Sequence, residues 1–388
     1  MSWSSRVKHA AFLAGLVFLL PLSLGLSAES EVTLQRVTDS EHDGLQAQQP
    51  IWSTSGIPLL AYEVTDRART TLLKTAAFLN GSLSSSLVPA SSAGRLSSFG
   101  AGQQRADSSV GWWPGRRDFT FIRHLDGVGL MHYDGSVREV PGLPEGEVLE
   151  ASMTPQADAL VLSISTGETT TLYRMPLGGE KGRELVRSPR VVHSMVHLSD
   201  GPTITAIGTD RGVTELLQFS STTGKVELAR SYPDYELLSL SASSNEDVVL
   251  AYARANRPGS SAGSGYVLLE LQTASENTEV KVLATDLYLP PGLSPRPALG
   301  AGGQEVYFVK SDPQGGNPIV RLNLASGRTE PLTLTTRGHQ EVAVGEFKDE
   351  NGKKVSWIAV IAVGDESGED VANHLYVGPL GSWTGWKN

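Results

Sequence analysis

No cysteine occurs among the 388 residues of the sequence. Disulfide bonds, thiolate metal ligands, a cysteine nucleophile and lipid attachment through cysteine are therefore excluded. Without disulfides, the stability of the folded chain must come from the burial of a core.

Long apolar runs are also absent, apart from one at the N-terminus. Arg6 and Lys8 precede an uncharged apolar run over residues 10–26, which the small residues Ser27 and Ala28 follow. The run is short for a membrane span, so it predicts a signal peptide over residues 1–28, with an uncleaved N-terminal anchor as the alternative. Exported eukaryotic proteins of this length usually carry disulfides. We therefore expect a bacterial protein, periplasmic or extracellular, with no transmembrane span after signal removal.

The sequence has no basic cluster. Asp and Glu number 42 against 32 Lys and Arg, which gives a net charge of −10. Such a chain is a poor candidate for binding nucleic acid or an anionic membrane surface. The acidic residues are spread along the chain, so they indicate solubility, and the partner that we expect is a protein of the cell envelope.

Amphipathic helices of normal length are missing beyond the N-terminus, whereas short β-rich runs are frequent. The clearest group lies at residues 302–333. There, residues 306–309, 319–324 and 329–333 are separated by turn clusters of Gly, Pro, Asn and Asp. This pattern predicts a three-stranded antiparallel meander. One meander cannot bury its own apolar faces, so it needs neighbouring sheets.

Similar units recur along the chain. Their first strands lie near Leu59, Phe119, Leu160, Ile204, Val248, Val306 and Trp357. The spacing is near the 40–50 residues or so of a propeller blade, and the wider gaps hold Ser, Gly and Pro insertions. Apolar runs at 148–151, 191–196 and 237–240 can supply fourth strands. The sequence therefore predicts an all-β propeller of seven blades, or of six if residues 51–74 form none.

The composition of the chain changes between regions. Residues 29–50 are polar, and we interpret them as a flexible leader or as an arm that pairs later. Residues 51–388 form the predicted propeller. Within it, residues 80–110 are dominated by Ser and Gly, which indicates an insertion or a long loop.

The unit at residues 302–333 resembles the TolB-type propeller repeat, which is found in TolB and in the propellers of prolyl oligopeptidases. The matching residues are 306–309, Gly315-Gly316, 319–324, Ser326-Gly327 and Leu332-Thr333. In that family a characteristic turn precedes the first strand. Here residues 113–116, 154–157 and 198–201 match that turn only in part. The resemblance implies a fold and little about function, because propellers host binding, scaffolding and catalysis.

His193 and His197 are the most evident candidate metal ligands. Their surroundings favour a strand, where residues four apart point to the same face at a separation of roughly 13 Å. That distance is too long for one ion to be shared. We therefore interpret them as two histidines on one strand face.

Three further clusters of residues could be functional sites, but each also has a purely structural interpretation. Arg116, Arg117, Asp118, Arg123 and His124 could bind an anion at a blade mouth, but solvated turn residues are the more common case. Asp312, Asp365, Glu366, Glu369 and Asp370 lack the spacing of a calcium loop, so a charged hairpin tip is favoured. Residues 300–303 are Gly-rich but precede a strand, which argues against a nucleotide loop. We assign no catalytic, cofactor-binding or metal residue and expect no cofactor.

Catalytic signatures of related folds are absent. No Gly-x-Ser-x-Gly elbow precedes a helix, no α/β half follows the repeats, and no sialidase-type Asp box occurs. The sequence favours a non-enzymatic, exported propeller that binds a protein partner or ligand through its loop face or channel mouth. The alternative is a propeller-type hydrolase or lactonase with a polar central channel that could hold a metal ion. Three or more convergent Asp, Glu, His or Asn side chains in the channel would favour the enzyme.

Overall fold

A computed structural model describes most of the chain from residue 32 onward. The described residues are 32–38, 46–52, 59–65, 71–79, 82–83, 88–89, 111–112, 118–123, 127–132, 137–156, 158–167, 169–198, 201–243, 247–256, 265–273, 280–291, 293, 295–348, 353–363 and 372–380. The predicted signal peptide lies outside them, as does most of the Ser/Gly-rich region 80–110. Within the described residues, helical structure is limited to a short 3-10 turn at Ala301–Gly303.

Five of the sheets, which we number as blades 2 to 6, are antiparallel, four-stranded and ordered as in the chain. In each, the first strand is the innermost. Blade 3 comprises β11 (Glu147–Met153), β12 (Ala159–Ser165), β13 (Thr170–Pro176) and β14 (Arg183–Ser188). Blade 4 comprises β15 (Val191–His197), β16 (Thr203–Asp210), β17 (Val213–Ser220) and β18 (Val226–Ser231). Blade 5 comprises β19 (Tyr235–Ala242), β20 (Val248–Ala255), β21 (Tyr266–Gln272) and β22 (Val280–Thr285). Blade 6 comprises β23 (Ala298–Leu299), β24 (Glu305–Val309), β25 (Ile319–Asn323) and β26 (Thr329–Pro331).

Blades 1, 2 and 7 bring the number of blades within the described residues to seven. Blade 1 comprises β2 (Gln46–Trp52), β3 (Leu59–Thr65) and β4 (Thr71–Leu79), with the short β5 (Ser82–Leu83) and β6 (Val88–Pro89) beside β4. Blade 2 comprises β7 (Gly111–Trp112), β8 (Asp118–Arg123), β9 (Gly127–His132) and β10 (Val137–Glu139). Blade 7 comprises β27 (His339–Lys348), β28 (Lys354–Val363), β29 (Asn373–Pro379) and, from the N-terminal region, β1 (Gln35–Arg36). A single parallel pair, Gln46 with Asn373, joins blades 1 and 7 into one continuous sheet.

The N-terminal segment closes the last blade. β1 pairs antiparallel with β29, and Val32 forms a bridge with Leu334 in the connection to β27. Further along, the Thr38 hydroxyl accepts a hydrogen bond from the Leu375 amide at 3.0 Å. The region 29–50, which the sequence suggested to be a leader or a pairing arm, thus contributes one strand to blade 7 and the start of β2 to blade 1.

The core lies between the faces of neighbouring blades. Val161 of blade 3 packs with Ile204 of blade 4, and Tyr252 of blade 5 packs with Phe308 of blade 6. Because both faces of each sheet are covered in this way, the second strands are buried almost throughout, as in β12. Truncating such a side chain, for example Leu160→Ala, costs about 2–5 kcal/mol of stability.

The predicted β-propeller is confirmed. The predicted first strands prove to be the second strands of the seven blades, and the predicted fourth strands at 148–151, 191–196 and 237–240 are the innermost strands β11, β15 and β19. The second strands are the ones that stand out in the sequence, because they are apolar on both faces. No helix among the described residues has the length and apolar character that a membrane span requires.

Candidate functional site

The innermost strands, which surround the central channel, share a backbone irregularity. Five of them carry a β-bulge: β2 between Gln48 and Ile51, β11 between Val148 and Glu150, β15 between His193 and Val196, β19 between Leu237 and Ser239, and β27 between His339 and Glu341. A bulge leaves an extra residue unpaired and re-aims the side chains beside it. In β11 and β27, a glutamate directly follows the extra residue.

Polar side chains at these bulges bond to the next blade. Glu150 Oε1 accepts a hydrogen bond from the Met195 amide at 2.9 Å, which joins blade 3 to blade 4. Glu341 Oε1 accepts one from the Gln49 amide at 3.1 Å, which joins blade 7 to blade 1. Buried amides that a bulge removes from the ladder need such acceptors. The two glutamates therefore occupy equivalent places at two blade junctions.

Blade 4 bonds to blade 5 by a related contact. The Ser194 hydroxyl accepts a hydrogen bond from the Leu240 amide at 2.7 Å. Ser194 and Gln49, which lie in the bulges that the two glutamates contact, both have positive φ values, 54° and 51°. Such values are uncommon for residues other than glycine and mark a constrained backbone.

Arg296 reaches the channel from the connection between blades 5 and 6. Two serine hydroxyls of β19 hold this segment, because Ser239 and Ser241 donate to the carbonyls of Pro295 and Pro297 at 2.6 and 2.7 Å. Between the two prolines, Arg296 extends to blades 3 and 4. Its Nη2 donates to Glu150 Oε1 at 2.5 Å and its Nη1 to the Met195 carbonyl at 3.3 Å.

The Glu150–Arg296 ion pair is buried on the carboxylate side. The Glu150 side chain is 5% exposed and that of Arg296 is 41% exposed. Burial raises the pKa of Glu150, and the neighbouring guanidinium opposes this shift. The cation therefore offsets much of the cost of holding a carboxylate in the interior.

A cavity of about 320 Å³ opens between the innermost strands of blades 1, 5 and 7 and the segment that leads into β23. We call it the channel cavity. Its lining is formed by residues 49–52, Ser241, 295–299 and 341–344. Most of these side chains are apolar, and the charged groups of the lining are Arg296 and Glu341.

Glu341 is the buried acid of this cavity. It is 3% exposed, and burial raises its pKa to about 7, against the opposing effect of the hydrogen bond from the Gln49 amide. Among the described residues, no Lys, Arg or His forms an ion pair with it, and the Gln49 amide donates a hydrogen bond to its Oε1. Its partially protonated state near neutral pH is what distinguishes it chemically from an ordinary surface carboxylate.

Trp52 gives the cavity a fixed aromatic wall. Its indole Nε1 donates to the Ala343 carbonyl at 3.3 Å, and its ring packs edge-on against Phe347 with centroids 5.4 Å apart. The Trp357 ring lies 6.4 Å away on a tilted plane. These contacts leave the indole little freedom to reorient.

The interpretation of His193 and His197 as two residues on one strand face is wrong. Strand β15 pairs His193 with Ile207 and His197 with Ile204, which are an odd number of residues apart on the regular strand β16. The two histidines therefore point to opposite faces, because the bulge between them shifts the alternation by one residue. His193 Nε2 lies 3.0 Å from the Thr209 hydroxyl.

His197 is half-buried as a residue, but both of its ring nitrogens are buried. Neither ring nitrogen has a hydrogen-bond partner among the described residues, and burial lowers its pKa to about 4. It therefore stays neutral at physiological pH. Across the described residues, no group of three or more His, Asp or Glu side chains is placed to hold a metal ion.

The remaining sequence candidates are structural where they are described. Asp312 caps its own turn, since its Oδ1 and Oδ2 accept from the amides of Gln314 and Gly316 at 3.0 and 3.2 Å. Residues 300–303 form the turn before β24. Arg116, Arg117, His124, Asp365, Glu366, Glu369 and Asp370 lie outside the described residues, and for Asp118 and Arg123 only the strand position is described.

Sequence reasoning missed Glu150, Arg296 and Glu341. Each had a weak signal, because Glu150 and Glu341 are acids that precede apolar strand residues, and Arg296 stands between two prolines. The contact between Arg296 and Glu150 could not be predicted from their spacing in the sequence, since the two residues are 146 positions apart.

No protein-family model matches the chain, and no curated protein matches it in sequence. Solved structures match its fold. An oligogalacturonate lyase in complex with manganese gives a TM-score of 0.59 at 8% identity, over 90% of this chain and 93% of that one. Hydrazine synthase of Kuenenia stuttgartiensis gives 0.55 at 11% identity, over 81% and 91%. The β-propeller domain of the Trilobed protease from Pyrococcus furiosus gives 0.54 at 13% identity, over 86% and 95%.

These similarities concern the fold alone. They confirm the predicted β-propeller fold. The Pyrococcus domain is described as having an open velcro topology. In this chain, by contrast, β1 pairs with β29 and completes the last blade.

Proposed function

We propose that this chain is an exported β-propeller that binds a protein partner or ligand in the channel cavity. The observation that carries the proposal is the lining of that cavity. It is mainly apolar, is walled by Trp52, and presents two charged groups, Arg296 and Glu341. Concave, mostly apolar sites with a few placed polar groups are typical of ligand binding.

The rigidity of the lining supports the same proposal. Pro295 and Pro297 are held by hydroxyls of β19, and Arg296 between them is held by Glu150. A site whose groups are already in place loses little conformational entropy when a partner arrives. We therefore expect recognition without a large rearrangement of the channel.

The enzyme alternative has one observation in its favour. Glu341 has a pKa of about 7, which suits a general acid or base at neutral pH. Against it, the second carboxylate of the channel, Glu150, is engaged by Arg296 and the Met195 amide. The two carboxylates thus differ in availability, and the arrangement favours binding over hydrolysis.

Occlusion of the cavity tests the binding role. Ser241→Trp would fill the cavity from β19, and Val282→Trp on the outer strand of the same blade is the control, since Val282 is 43% exposed. In a pull-down from the native envelope fraction, we expect a species that binds wild type and the control but not Ser241→Trp. Binding that survives Ser241→Trp in a folded variant would contradict the proposal.

Two further assays address the alternatives. Hydrolysis of a panel of lactones and esters at a rate that Glu341→Gln abolishes would favour the enzyme. For the location, expression with the native N-terminus in a bacterium should yield an exported chain that begins at Glu29. A chain that retains residues 1–28 in the membrane fraction would instead favour the anchor.

A further inference from the structure

The two glutamates at the inner-strand bulges form a natural pair for comparison. Glu150 and Glu341 each follow the extra residue of a bulge, and each accepts a hydrogen bond from the bulged segment of the next blade. Both are at least nine-tenths buried. Their environments differ in one respect. Glu150 has a guanidinium at 2.5 Å, whereas no described residue places a cation beside Glu341.

Beside Glu341 there is a space in place of the missing cation. The Glu341 side chain lines the channel cavity, whose volume of about 320 Å³ is ample for a guanidinium or ammonium group. Its Oε1 accepts the hydrogen bond from the Gln49 amide, and no Lys, Arg or His among the described residues forms an ion pair with its carboxyl group. Buried carboxylates are normally paired, so a carboxyl group that is nine-tenths buried and lines a cavity without a cation points to a cationic ligand.

We propose that the channel cavity takes an organic cation, a guanidinium or an ammonium group, which pairs with the Glu341 carboxylate as Arg296 pairs with Glu150. This inference rests on the proposed binding role of the channel and specifies its chemistry. The cation would be either the side chain of an Arg or Lys residue on a protein partner or a free small amine or guanidine.

The rest of the lining suits such a group. Trp52 is part of the lining, and aromatic rings attract guanidinium and ammonium ions. The positive charge of Arg296 on the same cavity is compensated by Glu150, so the three groups together carry one negative charge when Glu341 is ionised. The chain as a whole, at a net charge of −10, also favours the approach of a cation.

Protonation of Glu341 competes with the cation. Since burial places the pKa of Glu341 at about 7, binding should weaken as the pH falls below that value. The other titratable side chain of β27 near it is His339, which is bonded to the Asn317 carbonyl and lies 3.1 Å from the Thr336 hydroxyl. Arg296 is the remaining charged group on the cavity. Its charge is constant, so Glu341 governs the expected pH dependence.

Calorimetric titration of the full chain with matched small probes tests the inference. Nα-acetyl-arginine amide represents a peptide-borne cation, methylguanidine represents a free one, and Nα-acetyl-citrulline amide is the neutral isostere of the first. We expect at least one cation to bind wild type about tenfold or more tightly than the citrulline compound at pH 8. The better of the two cations indicates its source.

The variants locate that binding. Glu341→Gln, which keeps an acceptor for the Gln49 amide, should weaken the cation at least tenfold. Glu346→Gln removes a carboxylate of the same strand that pairs with Lys354 at 2.6 Å, and it should leave the affinity unchanged. Should Glu341→Gln fail to fold, the comparison of the arginine and citrulline probes in wild type still shows whether the cavity selects a cation.

Three results would overturn the inference: equal binding of the arginine and citrulline probes, full cation affinity in Glu341→Gln, and no binding of either cation. None of them removes the proposed binding role. That role stands or falls with the Ser241→Trp pull-down, so the two failures can be told apart.

Discussion

The junction of blades 3 and 4 and the junction of blades 7 and 1 are built alike but completed differently. Each places a buried glutamate after a bulge and bonds it to an amide of the next blade. At the first junction Arg296 supplies the counter-charge, whereas at the second the glutamate lines the channel cavity and no described residue forms an ion pair with it. The first is therefore a closed structural contact, and the second is a contact with one position open to an incoming group.

Loss of Arg296 should have the largest effect on this comparison, because it would make the first junction resemble the second. Arg296→Met leaves Glu150 buried without a cation, which should lower the free energy of unfolding by about 3–4 kcal/mol at pH 8. The loss should shrink as the pH falls, because burial raises the pKa of Glu150 and, without the opposing guanidinium, favours its neutral form more strongly. Urea unfolding at pH 8 and at pH 5 measures the difference.

A surface pair provides the control for that loss. Arg254 and Glu236 also form an ion pair, but the Arg254 side chain is 56% exposed. Arg254→Met should cost less than about 1 kcal/mol. Equal losses for the two variants would mean that burial of Glu150 does not matter, contrary to the account.

Glu341→Gln should raise the free energy of unfolding, whereas Arg296→Met should lower it. The folded-state pKa of Glu341, about 7, lies above its ordinary value of 4.5, so its contribution to stability is greatest below pH 4.5 and is lost as the pH rises through 7. The amide cannot ionise, and the variant should be more stable than wild type at pH 8 by at most about 3 kcal/mol. Thermal unfolding between pH 5 and 8 should show a weaker pH dependence than wild type. An unchanged pH dependence would be evidence against a buried, uncompensated Glu341.

Ser194→Ala affects the related junction of blades 4 and 5. Without the hydroxyl, the buried Leu240 amide loses its acceptor, which should cost about 1–2 kcal/mol. The same substitution at Ser231, whose hydroxyl bonds to Glu215 at the surface, should cost less. Chemical denaturation of the two variants side by side checks the difference.

The smallest effect is expected at the closure of the ring. Thr38→Val keeps the shape of the side chain but removes the acceptor for the Leu375 amide, at a cost of about 1 kcal/mol. Hydrogen exchange should accelerate at Leu375 before it does in blades 3 to 5. Uniform exchange across the blades would indicate that the N-terminal segment does not hold blade 7 closed.

The sequence revealed the fold better than the site, for a physical reason. Strands such as β12 and β20 are apolar on both faces because each blade is covered on both sides, so their repetition is visible in the residues. The bulges leave no such trace. One extra residue in β15 places His193 and His197 on opposite faces instead of the same face, and only the pairing register reveals it.

The inner strand of blade 6 illustrates the same limit. β23 has two residues, and the preceding proline-rich segment is held through side-chain hydroxyls of β19. Its one channel cation, Arg296, meets a carboxylate three blades away in the chain. A local pattern cannot encode such a contact, because the ring brings together residues that are distant in sequence.

The ionisation of Glu341 is the most direct test of the account. A carbon-13 NMR titration of its side-chain carboxyl, assigned with Glu341→Gln, should give a pKa of about 7 in the free protein and a lower value with saturating methylguanidine or Nα-acetyl-arginine amide. A free value near 4.5, or one that neither cation changes, would contradict the claim that the channel holds a buried acid open to a cationic group.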